Sequence, residues 1–167
     1  MKRFLVNVTI VAILAFIVQW ALIRYVPNIV YKIAVHRSGV NNKWVNAGKT
    51  DAHMRKVVMP NPDFVYSALF YDVSDRDIVV RGVLPDSTYA SVSFYDDRCQ
   101  PYYVYNNLVP GHTGAFHLTL SQKDLAGSND VKAKTTKGVI ICRFLVKGDS
   151  TYHLMKEHQT QLVCDIK

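Results

Sequence analysis

Two histidines, His112 and His117, stand five residues apart around the Pro110-Gly111 turn and the start of an alternating strand. A metal would need both rings on one side, completed by Asp96 or Asp97. So sparse a ligand set predicts ordinary loop and strand histidines and no metal. His36, His53, His153 and His158 form no constellation. Glycoside chemistry needs two carboxylates facing each other across roughly 5–10 Å. Asp63, Asp72, Asp96 and Asp97 qualify by number only, and the run from Asp72 to Asp77 reads as a turn capped by its own Asp side chains. There is no Gly-x-Ser-x-Gly elbow and no Gly-rich phosphate loop. Cys99, Cys142 and Cys164 allow at most one internal bridge, and none lies at the short spacing structural zinc uses. Nothing here assigns a catalytic residue, a metal or a cofactor.

The tyrosines carry a stronger signal. Seven of the ten fall between Tyr66 and Tyr105. Tyrosine supplies rigid contact area with a polar tip, suited to sugars, apolar ligands or protein partners. The competing reading is that a small β domain uses tyrosine at sheet edges and half-buried faces. If a pocket exists, Tyr66, Tyr71, Tyr95 and Asp96 are expected to line it.

The elements that must position these residues are short strands. Val65 to Tyr71, Ile78 to Leu84, Thr88 to Tyr95, Tyr102 to Tyr105, Ala115 to Leu120, Gly138 to Val146 and Gln161 to Ile166 are β-rich or alternating. The stretch from Gly138 is the most apolar and is expected at the centre of a sheet. Of twelve acids after Val57, eleven are Asp and one is Glu157, which disfavours long surface helices. Ser121 to Asp124 and Tyr152 to His158 are the two short helical candidates. The fold expected is mainly β, a β-sandwich or jelly-roll-like domain.

In front of it, Phe4 to Ile23 run 20 residues without a charge. As a helix this covers roughly 30 Å, the hydrocarbon thickness of a bilayer. Lys2 and Arg3 precede the run, and Trp20 and Tyr25 mark its far boundary. The apolar core is longer than a cleaved signal's and Leu22 to Tyr25 offer no small-x-small site, so an uncleaved signal anchor is expected, with the main domain outside. From Arg24 to Lys56, seven Lys or Arg face one acid, a net of +6; from Val57 to Lys167, eleven face twelve, a net of −1. The high pI belongs to the anchor and stem, which suits anionic lipid headgroups better than nucleic acid; simple solvation of a linker is the competing reading. Pro27 is expected to open a short stem helix with Ile29, Val30, Ile33 and Ala34 on one face. The chain divides into tail and anchor 1–25, basic juxtamembrane stem 26–56 and β domain 57–167.

The run Val57-Val-Met-Pro-Asn-Pro-Asp-Phe-Val-Tyr-Ser67 resembles a bacterial family, the domain of unknown function numbered twelve-fifty-four, whose members share Pro-Asn-x-Asp-x-x-Tyr-Ser. The likeness continues through Tyr71-Asp-Val-Ser74, Tyr89 to Asp96 and Tyr103-Val-Tyr-Asn106. The Asn42-Lys-Trp44 element is similar to one in the family's short, membrane-anchored branch. The resemblance places the shared signature on Pro60, Asn61, Asp63, Tyr66 and Ser67, so Asn61 and Asp63 are either caps of strands and turns or further ligand or interaction candidates. Phe64 stands where the family often has Thr, which weakens a catalytic reading. Longer relatives carry a second β domain, the family numbered twelve-fourteen, after this one; in the short branch it usually belongs to a separate membrane-anchored protein. The resemblance thus implies a membrane partner carrying that companion domain. The function expected is a non-catalytic, single-pass accessory or interaction protein of the bacterial inner membrane with a periplasmic domain. The alternative is a ligand-binding or enzyme component acting on envelope glycans or lipids.

Overall fold

The computed structural model describes residues 2–49, 60–112, 114–124 and 126–167. The end of the expected stem, with Asp51, His53, Arg55 and Lys56, and the Val57 to Met59 opening of the family-like run lie outside the described residues.

A single helix, α1 (Lys2–Ser38), runs 37 residues. It is long and apolar enough to cross a membrane, and its apolar window is wholly exposed. By length and composition it fits an anchor or a signal sequence equally. Thr9 satisfies itself by donating to Leu5 O at 2.9 Å. The expected break at Pro27 does not occur, because Pro27 lies inside α1. Its missing N–H removes one bond of the helical ladder, and neighbouring contacts hold the helix there. Asn28 donates to Asp97 O at 3.2 Å, and the Tyr31 ring packs on Phe70 with 6.3 Å between centroids. The side docked on the sandwich is thus Asn28, Tyr31 and Val35, and on the face of Ile29, Val30, Ile33 and Ala34 both isoleucines stay exposed.

The β domain is a sandwich of two sheets. One has five antiparallel strands in the order β1 (Trp44–Asn46), β2 (Phe64–Asp72), β8 (Lys137–Leu145), β4 (Ala90–Asp96), β5 (Pro101–Asn106). The other is β7 (Asp130–Lys132), β6 (Gly114–Ser121), β3 (Ile78–Leu84), β9 (Val163–Ile166), with β6 and β7 parallel. The apolar strand from Lys137 is central in its sheet, as its composition predicts. Period-two alternation sends Leu69, Ile140, Val92 and Phe94 inward to meet Ile78, Val80, Leu118 and Leu120 in one buried core.

Two strands escaped the sequence reading. β7 is three residues long, and β1 falls in the expected stem. β1 exists because Asn42 imitates a strand: its side chain accepts from Asp72 N at 2.8 Å and donates to Asp72 O at 3.0 Å. Trp44 then pairs with Leu69. The Ser121 to Asp124 stretch is not helical, because Ser121 ends β6 and its hydroxyl accepts from Lys123 N at 3.0 Å in a turn. The other helical candidate extends to α2 (Asp149–Thr160), which closes one end of the sandwich. Its Met155 is buried, and Gln159 Nε2 donates to Tyr66 O at 2.8 Å and Ser67 Oγ at 2.9 Å.

Candidate functional site

The outer face of the five-stranded sheet holds the most site-like arrangement. Register fixes its rows. Tyr66 lies opposite Arg143, and Arg143 opposite Ser91. The next row is Ala68, Ile141 and Ser93; the third is Phe70, Val139 and Tyr95. A β-bulge between Phe94 and Tyr95 re-aims Tyr95 on this face. Together Pro60, Tyr66, Tyr95, Val139, Ile141 and Arg143, with Cys99, line a cavity of about 460 Å³. That volume lies within the range of small-molecule sites, about 300–1,000 Å³.

Among the described residues Arg143 is the only charged one lining it. Its guanidinium leans across the sheet and donates from Nη2 to Ser93 Oγ at 3.1 Å. Among the described residues its Nε is buried with no partner, and the buried hydroxyl of Ser91, opposite it in register, also has none. Among the described residues no carboxylate pairs with Arg143. A partly buried, unpaired guanidinium is costly to the fold. The strand sequence Ile140-Ile-Cys-Arg-Phe144 held the signal: one cation inside the most apolar strand, on its outward parity.

Of the residues expected to form a pocket, the structure brings Tyr66 and Tyr95 together here and separates the rest. Tyr71 points inward, 1% exposed, and its hydroxyl pairs with Tyr102 OH at 3.1 Å. Burial pushes both phenols up. Asp96 is 3% exposed and builds a turn. One oxygen accepts from Arg98 N and Gln100 N, both at 2.9 Å, and the other meets Lys134 Nζ at 3.2 Å. Burial alone would raise this carboxyl; the two backbone N–H groups and Lys134 prevail and hold it below the usual carboxylate range. The turn permits Cys99 its left-handed backbone, φ 58°.

Asn61, next to the cavity-lining Pro60, and Asp63 have a structural role. Asn61 Oδ1 accepts from Asp63 N at 2.9 Å, an Asx turn, while Asn61 N donates to Tyr66 OH at 3.1 Å. Ser67 Oγ donates to Asn46 Oδ1 at 2.8 Å. The signature residues Asn61, Tyr66 and Ser67 therefore tie the loop, the edge strand and α2 together. Asp63 contributes its backbone, and its residue is exposed. Asp63→Asn should shift the melting temperature by less than about 2 °C, since surface changes away from such features stay within about 0.5 kcal/mol. A large drop in a thermal melt would instead assign its carboxylate to the fold.

The histidines do not converge. His112 stacks on Tyr105 with 4.0 Å between centroids, while His117 lies opposite Arg81 on the other sheet. Among the described residues no three His, Cys, Asp or Glu cluster as a metal site, and the three cysteines are free. Burial pushes the Cys164 thiol up to about 11.

The family described as protein of unknown function DUF1254 matches residues 40–165. The fold resembles the VPA0106 protein from Vibrio parahaemolyticus, with TM-score 0.64, 14% identity, and coverage of 84% of this chain and 35% of that one. It also resembles a putative uncharacterized protein from Burkholderia cenocepacia, with TM-score 0.54, 18% identity, and coverage of 83% and 39%. At these identities the likeness is one of fold. The chain spans little more than a third of either protein. No curated protein matches it.

Proposed function

The chain belongs to the DUF1254 family, and from that premise we propose that it is a single-pass, membrane-anchored accessory or interaction protein. In this reading α1 is an uncleaved anchor in the bacterial inner membrane. Its short basic start stays in the cytoplasm, and the β domain stands in the periplasm as a subunit or partner in an envelope complex. The partner is a membrane protein carrying the companion β domain.

One observation carries the proposal. α1 passes without interruption from a membrane-length apolar stretch to a docked seat on the sandwich. The domain is thereby held at a set height and orientation, which presenting a surface to a membrane neighbour requires. Around that seat, the acids that might have done chemistry build turns: Asp96 caps its own, and Asp72 accepts from Ser74 N at 3.1 Å. Exposed Val104, Leu108 and Val109 at the β5 edge offer apolar contact area.

The test is purification of tagged full-length protein from its native membrane in mild detergent, with mass spectrometry of what accompanies it. Stoichiometric recovery of a protein bearing the companion domain is the expected result. Recovery of the chain alone would overturn the partner reading. The second reading, a component that binds envelope glycans or lipids, draws on the outer-face cavity. It loses Tyr71 and Asp96 from its expected lining and keeps Tyr66 and Tyr95.

A further inference from the structure

We propose that the outer-face cavity binds the carboxylate of a single-chain fatty acid drawn from the adjoining membrane. The inference rests on the anchored placement of the domain but not on a protein partner.

Three observations converge. The first is charge. Among the described residues Arg143 has one hydrogen bond, to a neutral hydroxyl, and a buried Nε with no partner. A planar carboxylate matches a guanidinium in geometry and in its single charge, whereas a phosphate monoester would bring nearly two negative charges to one cation. Among the described residues the buried hydroxyl of Ser91, opposite Arg143 in register, is a second uncompensated polar group.

The second is the rest of the lining. The floor is Val139 and Ile141, and Tyr66 and Tyr95 stand on either side. A small hydrated anion would gain nothing from these surfaces. An apolar chain attached to the anion would cover them.

The third is position. Cys99, in the cavity wall, approaches Pro27 O at 4.0 Å. Pro27 stands four residues beyond Ile23, the last residue of the uncharged run. Along a helix that is about 6 Å. The headgroup layer on each side of a bilayer is about 5–8 Å deep. The Cys99 wall of the cavity therefore stands at headgroup depth, and Arg143, four residues along β8 from Val139, lies roughly 13 Å farther along the strand.

The test uses full-length protein in phosphatidylcholine nanodiscs and a diazirine-bearing palmitate as probe, with labelled peptides mapped by mass spectrometry. Labelling of the bilayer stretch of α1 serves as the internal reference. The expected result is additional labelling within 139–143 and 95–99. Oleate should displace it, oleyl alcohol should do so about tenfold less well, and acetate or inorganic phosphate should not. Arg143→Gln should weaken the labelling about tenfold or more, as loss of a charge-assisted bond does. Ile141→Trp should block it by filling the floor while leaving the charge, and it decides the matter if Arg143→Gln does not fold. Labelling confined to α1, or undiminished in these variants, would overturn the proposal. Equal displacement by the alcohol would reduce the site to apolar surface, and displacement by acetate or phosphate would make it a small-anion site; either also overturns it.

Discussion

Gly138→Ala should cost this protein about 3 kcal/mol, near the upper end of the usual overpacking penalty. A Cβ at this position would collide with the backbone carbonyl of Tyr95 and with the Tyr71 ring and hydroxyl. Neither can retreat cheaply. Tyr95 O belongs to the strand beside Gly138 in the sheet, and Tyr71 is buried and hydrogen-bonded to Tyr102. For a domain of this size the expected fall in melting temperature is roughly 10–20 °C. Tyr71→Phe in the same chain should restore only part of it, because the clash with the carbonyl persists. Gly138 O also accepts from Tyr31 OH at 3.4 Å, so the lesion lies on the seam between α1 and the sandwich. A shift under about 2 °C would show that the seam yields, and the account of close packing there would fall.

Asp96→Ala should cost about 2–3 kcal/mol, because it leaves the Arg98 and Gln100 N–H groups without their acceptor. The same turn presents Asp97 to Asn28 and Cys99 to Pro27, so the variant should also loosen the seat of α1. The pH dependence has a definite sign. The folded carboxyl sits below its unfolded value of 3.8. The unfolded chain therefore binds the proton first, and the stabilisation is fully present above that value. It is lost as pH falls through the lower, folded-state value. Asp72 is displaced the same way: burial opposes it, but Ser74 and Lys137 prevail. Melts between about pH 6 and pH 2 should show a shallower acid loss in Asp96→Asn than in the parent. Parallel acid limbs would remove Asp96 as its source.

The strands could be read from alternation because one buried face imposes period two whatever lies on the other. Ile78 to Leu84 has the same bounds in sequence and structure. β1 was hidden because its pairing depends on the Asn42 side chain bonding the end of a strand 30 residues away. α1 was cut short at Pro27 by local propensity, which tertiary contacts through Asn28 and Tyr31 override. The tyrosine cluster pointed to the right strands but not to their faces. A bulge at Tyr95 and a buried hydroxyl pair at Tyr71 divide the set between surface and core. Arg143 passed unnoticed because a lone arginine in an apolar strand gains meaning only when register places Ser91, Ser93 and Tyr66 around it.

The unbroken run of α1 makes azimuth a designed variable. Each residue added or removed between Ile23 and Pro27 would swing the sandwich about 100° around the helix axis relative to Asn7 and Gln19 in the apolar stretch of α1. Seven added residues would return it to within about 20° of its original bearing, some 10 Å farther along the helix axis. In the anchored reading proposed above, the segment works as a keyed shaft: its length sets the domain's height, and its phase sets which strands a membrane neighbour would meet.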